Sequence, residues 1–223
     1  MNYVFHFNVV WEHWRDLAEG AWFTIRLSAL AVAMGLPIAT ACAYAKAAAP
    51  GPLRWAVTAY VEVIRNTPFL VQVFIIYFSL PALGIRIEAN QAALAAMAVN
   101  FGAYGTEILR SGVEAIPHSQ VDAARALGFS RLQVFRYVVL FQALKVVYPA
   151  LASQFILLML ASSIVSAISA VELTAITNSM QSTTFRPFEF YFVAMGLYLA
   201  IALAFRVALG GLYWVVFARK RPA

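Results

Sequence analysis

The residues able to do chemistry in this chain are few, and most stand inside apolar runs. Gln72, Asn100, Tyr104, Glu107, Ser162 and Ser163 are the candidates among the polar side chains there. A polar group of this kind marks a solute pathway or an interhelical hydrogen bond, because leaving it unsatisfied among apolar neighbours is costly. Asn100 and Glu107 lie seven residues apart with Tyr104 between them, so one helix face carries all three. Asn100 has two open readings, a contact with substrate or a hydrogen bond to another helix. Glu107, with Arg110 three residues on, reads as one half of a structural ion pair. Serines in apolar helices commonly bond back to their own backbone. His6, His13 and His118 are too scattered to form a metal site, and the lone Cys42 has no disulfide partner in the chain. There is no Walker A pattern, no Gly-Lys pair to build one, no Gly-x-Ser-x-Gly elbow and no zinc spacing. The residues predict no catalytic group, no metal and no cofactor held by this chain.

The elements that position these side chains follow from composition. Of 223 residues, 63% are apolar and 12% charged, against roughly 45–50% and 25% in a soluble domain. The mean hydropathy is +0.77. Disorder, a disulfide scaffold and a coiled coil are excluded, and an all-α polytopic membrane protein is predicted. Leu27–Ala45, Asn66–Ile85, Ala89–Thr106 and Val146–Val171 contain no Asp, Glu, Lys or Arg, and Phe190–Ala218 is broken only by Arg206. Each can cross a ~30 Å hydrocarbon core as a helix, which predicts five spans. Arg206 is read as a possible interfacial end of the fifth, with Val207–Ala218 running along the surface.

Charge gives the direction. Arg15, Arg86 and Arg186 fall on one face. Lys46, Arg54, Arg65, Arg110, Arg125, Arg131, Arg136, Lys145, Arg219, Lys220 and Arg221 fall on the other. Three against eleven places the N-terminus outside and the C-terminus in the cytoplasm. Ala43-Tyr44-Ala45 resembles a signal-peptide cleavage site, but Glu12, Asp16 and Glu19 precede the first span, where a signal peptide needs positive charge. The span is read as retained. Glu172 and Glu189 are read as lying on the outside, in solvated loops or against a delivery protein.

The cytoplasmic stretch from Arg110 to Lys145 is the most patterned. Pro117 stops the third helix, Ser119 with Asp122 signals a new start, and a short helix is predicted over about 120–127. Gly128 supplies its left-handed end. Ser130 with Gln133 repeats the capping signal, and Leu132, Phe135, Val138 and Val139 predict an interfacial helix before the fourth span. Ala123 to Val134 also has the spacing of a DNA-binding helix-turn-helix, but two spans flank it closely and leave no domain to carry it to a groove. No nucleic-acid partner is predicted.

These residues resemble a known family. Asp122-Ala123-Ala124, Gly128 and Val138-Val139-Leu140 are similar to the EAA loop of binding-protein-dependent ABC transporter permeases. Arg65-Asn66-Thr67-Pro68 with Val71-Gln72, Asn100 to Tyr104 with Glu107, Arg110, Gly112 and Ile116-Pro117, and Ser162 to Ser166 with Glu172-Leu173-Thr174 resemble the polar amino-acid (histidine/glutamine-type) branch. The resemblance covers residues 15–217. Two positions depart from the pattern: Asp122 replaces the glutamate, and Phe141 the proline that would break a helix.

The resemblance implies a single transmembrane permease domain over residues 1–223, with a coupling-helix loop at about 117–130, in the bacterial cytoplasmic (inner) membrane. Gln120, Asp122, Ala123, Ala124, Leu127 and Gly128 would engage separate ATPase subunits, which use ATP and Mg. Gln72, Asn100, Tyr104, Ser162 and Ser163 would belong to the substrate pathway. The implied partners are a second permease, homo- or heteromeric, an extracytoplasmic solute-binding protein, membrane lipid, and a polar amino acid or amino-acid derivative as substrate. An ion- or proton-coupled carrier or small channel is the alternative, with Glu107 its only acidic candidate deep in a span. A structural or regulatory subunit would explain the docking loop but not the intramembrane polar residues.

Overall fold

A computed structural model describes residues 3–218, and the predicted basic tail Arg219, Lys220 and Arg221 lies outside the described residues. After a short α1 (Asn8–Glu12), α2 runs unbroken over Trp14–Ala48. Its 35 residues amount to about 52 Å of helix, far more than a bilayer core requires. Ala49 and Pro50 turn the chain into α3 (Gly51–Arg65), and α4 (Phe69–Ala82) follows at 112° to it. α5 occupies Ala89–Glu114, α6 His118–Ala126, α7 Arg131–Ile168, α8 Leu173–Thr184 and α9 Pro187–Phe217. Four of these helices are long and apolar enough to cross a membrane, and the bent α3–α4 pair makes a fifth if it counts as one span.

α2 and α5 run parallel from Leu27 to Lys46 of α2. Leu27 and Leu30 flank the start of α5, Gly35 meets Ala98 and Phe101, Ala39 meets Gly105, and Lys46 reaches Glu107. Small residues set this spacing: a Cβ on Gly102 would stand 2.7 Å from Ile38, and one on Gly105 2.8 Å from Ala39. α7 runs antiparallel to α5, touching so closely that a Cβ on Gly112 would overlap Val147. α9 is antiparallel to α7 in turn, with Phe155 against Phe205 and the Tyr148 hydroxyl donating to the Leu209 carbonyl at 2.8 Å. The core between them holds Leu27, Val73, Met97, Phe101, Leu158 and Val165.

Several sequence-based expectations change here. Asn66–Ile85 is not one span. Asn66, Thr67 and Pro68 form a corner, and the 14 residues of α4 reach only about 21 Å. Pro117 rather than Ser119 precedes α6, so α6 starts two residues before the predicted helix and Ser119 caps nothing. The Ser130–Gln133 capping box forms as predicted. No separate interfacial helix follows it: the chain passes through a π-helical turn, Val134–Val139, straight into the span, and continues helical through Phe141. Leu132 is exposed while Val134 and Val139 are buried, so the packed face differs from the predicted one. At its far end α7 tightens to a 3-10 helix over Ser162–Ile168, and the α-helical part stops at Ala161. Arg206 does not interrupt α9.

Candidate functional site: a docking helix and a closed polar corner

Two regions gather the predicted functional residues. The first is α6. Val121 and Ala124 turn inward onto Ile116, Val134, Val139 and Ala143. Gln120, Asp122, Ala123 and Leu127 are exposed, so the helix is held through Val121 and Ala124 and leaves the rest of its surface open. Its end is a Schellman motif: the Phe129 N–H donates to the Ala124 carbonyl and the Gly128 N–H to that of Arg125. Gly128 sits at φ +82°, a conformation that favours glycine. On either side of it, Leu127 and Leu132 are 78% and 74% exposed, an apolar tip that no described residue covers. Gln142 donates to Gln120 at 2.8 Å, tying α6 to α7. Asp122 lies 3.6 Å from Arg125 at the surface.

The second region is the α3–α4 corner. In a continuous helix the Ile64 carbonyl would accept from the backbone of residue 68, but Pro68 has no N–H. The Gln72 amide supplies the missing donor. Its Nε2 donates to the Ile64 carbonyl at 2.7 Å and to the Thr67 carbonyl at 3.0 Å. Its Oε1 accepts from Asn100 Nδ2 of α5 at 2.9 Å. Asn100 therefore makes the interhelical hydrogen bond that was one of its two readings. Tyr104, one turn further, lies under the Arg65 guanidinium, 5.5 Å from the ring centroid.

The two serines stand apart from this network. Ser162 Oγ donates to the Met159 carbonyl at 2.7 Å and Ser163 Oγ to that of Leu160 at 3.0 Å. Ser166 does the same to Ser163, and these i−3 bonds accompany the tightening to 3-10. No hydrogen bond among the described residues links Ser162 or Ser163 to Gln72 or Asn100.

Glu107 is engaged on both sides. Lys46 Nζ lies 2.6 Å from one oxygen and Arg110 Nη2 3.0 Å from the other, with Arg110 also paired to Glu114. The Arg110 pair is the predicted one, whereas Lys46, 61 residues away, had no local signal.

Glu172 and Glu189 correct the sequence reading outright. Both are fully buried, so neither is a solvated loop residue nor free to meet another protein. Glu172 accepts from Ala175 N–H at 2.8 Å as the cap of α8 and from the Tyr198 hydroxyl at 2.5 Å. Burial pushes its carboxyl above the usual range, and these hydrogen bonds hold part of the rise back. Glu189 accepts from the Tyr3 hydroxyl at 2.5 Å and the His6 backbone N–H at 2.9 Å. Sequence reasoning missed both because their partners are remote in the chain.

Residues 33–216 match the family described as binding-protein-dependent transport system inner membrane component. The chain belongs to that family. It is a membrane permease subunit, not an ATPase, and an EAA loop is a feature of its family. It is 31% identical to the probable glutamine ABC transporter permease protein GlnM of Bacillus subtilis (strain 168), over 88% of this chain and 91% of that one. It is 34% identical to the glutamine transport system permease protein GlnP of Escherichia coli (strain K12), over 89% and 92%. It is 30% identical to the octopine transport system permease protein OccM of Rhizobium meliloti, over 95% and 90%. The solved structure of an amino acid ABC transporter with histidines superposes with a TM-score of 0.89 at 34% identity, covering 95% of this chain and 99% of that chain. The inward-facing MetNI methionine ABC transporter superposes at 0.72 with 22% identity, over 90% and 96%, a likeness of fold alone.

Proposed function

We propose that this permease carries a polar amino acid or a close derivative across the bacterial inner membrane, driven by separate ATPase subunits that use ATP and Mg. An extracytoplasmic binding protein delivers the substrate, and two permease chains enclose the path between them. The observation that carries the reading is α6: held through Val121 and Ala124, with the rest of its surface open and an apolar tip of Leu127 and Leu132 at its end. A short helix tied at both ends to spans transmits movement of a soluble partner into the bilayer. The named relatives supply the substrate class, since glutamine, octopine and histidine are all polar amino acids or derivatives.

The three-to-eleven basic asymmetry sets α6 in the cytoplasm, where the ATPases are. The parallel course of α2, α5 and α9 fits them as first, third and fifth spans, which must run the same way. A proton-coupled carrier is disfavoured by Glu107, whose two oxygens are both engaged by cations. The deciding experiment is gentle purification of the tagged permease from its native membranes, followed by mass spectrometry and ATP-dependent glutamine uptake in vesicles. A stoichiometric ATPase and ATP-dependent uptake are expected. The permease alone moving solute without ATP would overturn the reading, and a second, different permease in the sample would make the pair heteromeric.

A further inference from the structure

Arg26 is a basic side chain on a long apolar helix that the transport reading leaves unused. It is exposed on α2 and makes no ion pair within 4 Å among the described residues. The apolar run beginning at Leu27 and ending at Ala45 spans about 28 Å, close to a bilayer core, so Arg26 stands at its border, at headgroup depth. Trp22, one turn earlier and 60% exposed, is the amphipathic aromatic expected at that level.

Beside Arg26 a groove of about 160 Å³ opens between α2 and α5. Its rim is Arg26, Asn90 and Gln91, and its floor includes Leu27, Leu30 and Leu94. The hydrogen bonds of the rim are one-sided. Asn90 Oδ1 is taken by the Val171 N–H at 3.0 Å and Gln91 Oε1 by the Glu88 N–H at 3.2 Å. The acceptors are thus consumed inside the fold, while the amide nitrogens of both residues make no hydrogen bond among the described residues. What the rim offers is a guanidinium and two neutral donors above an apolar channel.

We propose that this groove binds one anionic phospholipid of the leaflet on the α5 N-terminal side. Its phosphate lies on Arg26 and the Asn90 and Gln91 amides, and one acyl chain lies along Leu27, Leu30 and Leu94. Charge complementarity selects an anion, and the apolar floor below the rim selects an anion with a hydrocarbon tail over a free phosphate or a substrate carboxylate. The inference rests on α2 and α5 spanning the membrane, not on the identity of the transported solute.

Native mass spectrometry of the purified transporter, offered phosphatidylglycerol or phosphatidylcholine, tests it. The unaltered permease should retain one phosphatidylglycerol per chain in preference to phosphatidylcholine. Arg26→Gln should lower that retention about fivefold, the worth of one basic residue at a membrane surface. Arg26→Lys should change it less than twofold. Leu30→Trp, which fills the groove without touching the charge, should lower it at least as far, and Arg86→Gln, on the same face but outside the groove, should leave it intact. Equal retention by Arg26→Gln and the unaltered chain would overturn the proposal. So would inorganic phosphate displacing the lipid at millimolar concentration, or Arg26→Gln disturbing permease pairing while lipid retention stays constant.

Discussion

The α6 tip and the α3–α4 corner are both departures from a simple bundle of spans, and they are built in opposite ways. The corner meets its buried polar groups within the chain: Gln72 supplies the donor that Pro68 lacks and hands its own oxygen to Asn100. The α6 tip leaves Leu127 and Leu132 outside with no described residue to cover them. A region whose polar groups are satisfied within the chain is a joint. A region that leaves apolar surface uncovered beyond the spans is a socket or a plug. Asn100 illustrates why the distinction needs geometry, since its residue type and depth fit either role.

The contrast can be broken in graded ways. The largest effect is expected from Gln72→Leu, which strands the Ile64 carbonyl and the Asn100 amide and should cost about 2–3 kcal/mol in detergent-solubilised stability. Asn100→Leu on that background should add far less than it does alone, because the two share one network. Simple additivity in thermal denaturation would show that the corner is not a unit. Next comes Leu127→Asp, expected to lower uptake at least tenfold and to release the ATPase while the melting temperature holds. If uptake stays normal, α6 is not the docking element. Glu107→Gln removes a pair whose partners are only partly exposed and should cost about 1 kcal/mol, read from the melting temperature at low and high salt. The smallest structural effect belongs to Asp122→Asn. Its contact with Arg125 is exposed, so stability should move by less than about 0.5 kcal/mol. A several-fold fall in coupled ATP hydrolysis would then report contact with the ATPase rather than helix stability.

What the sequence made legible was local. Gly128, the Ser130–Gln133 box and the apolar runs declare themselves through φ preference, capping chemistry and hydropathy, all of which act within a few residues. The bend at Pro68 had a visible proline, but its compensation by a glutamine four residues later did not stand out in an apolar run. The π-turn at Val134–Val139 has no sequence signature strong enough to separate it from an α-helix. Glu172 and Glu189 were illegible for another reason. A carboxylate beside a span end looks solvated until Tyr198 and Tyr3 arrive from 26 and 186 residues away.

That last separation has a consequence in time. The seal that joins Tyr3 and His6 to Glu189 cannot close until residue 189 has left the ribosome. At usual synthesis rates of about 5–20 residues per second, the leading segment waits roughly ten to forty seconds for its partner. During that interval Glu189's future partners stand in water while four spans are laid down behind them. Insertion of α9 is therefore the event that fastens Tyr3 and His6, and a truncation before it would leave α2 held by α3, α5, α7 and α8 while the leading segment stayed loose.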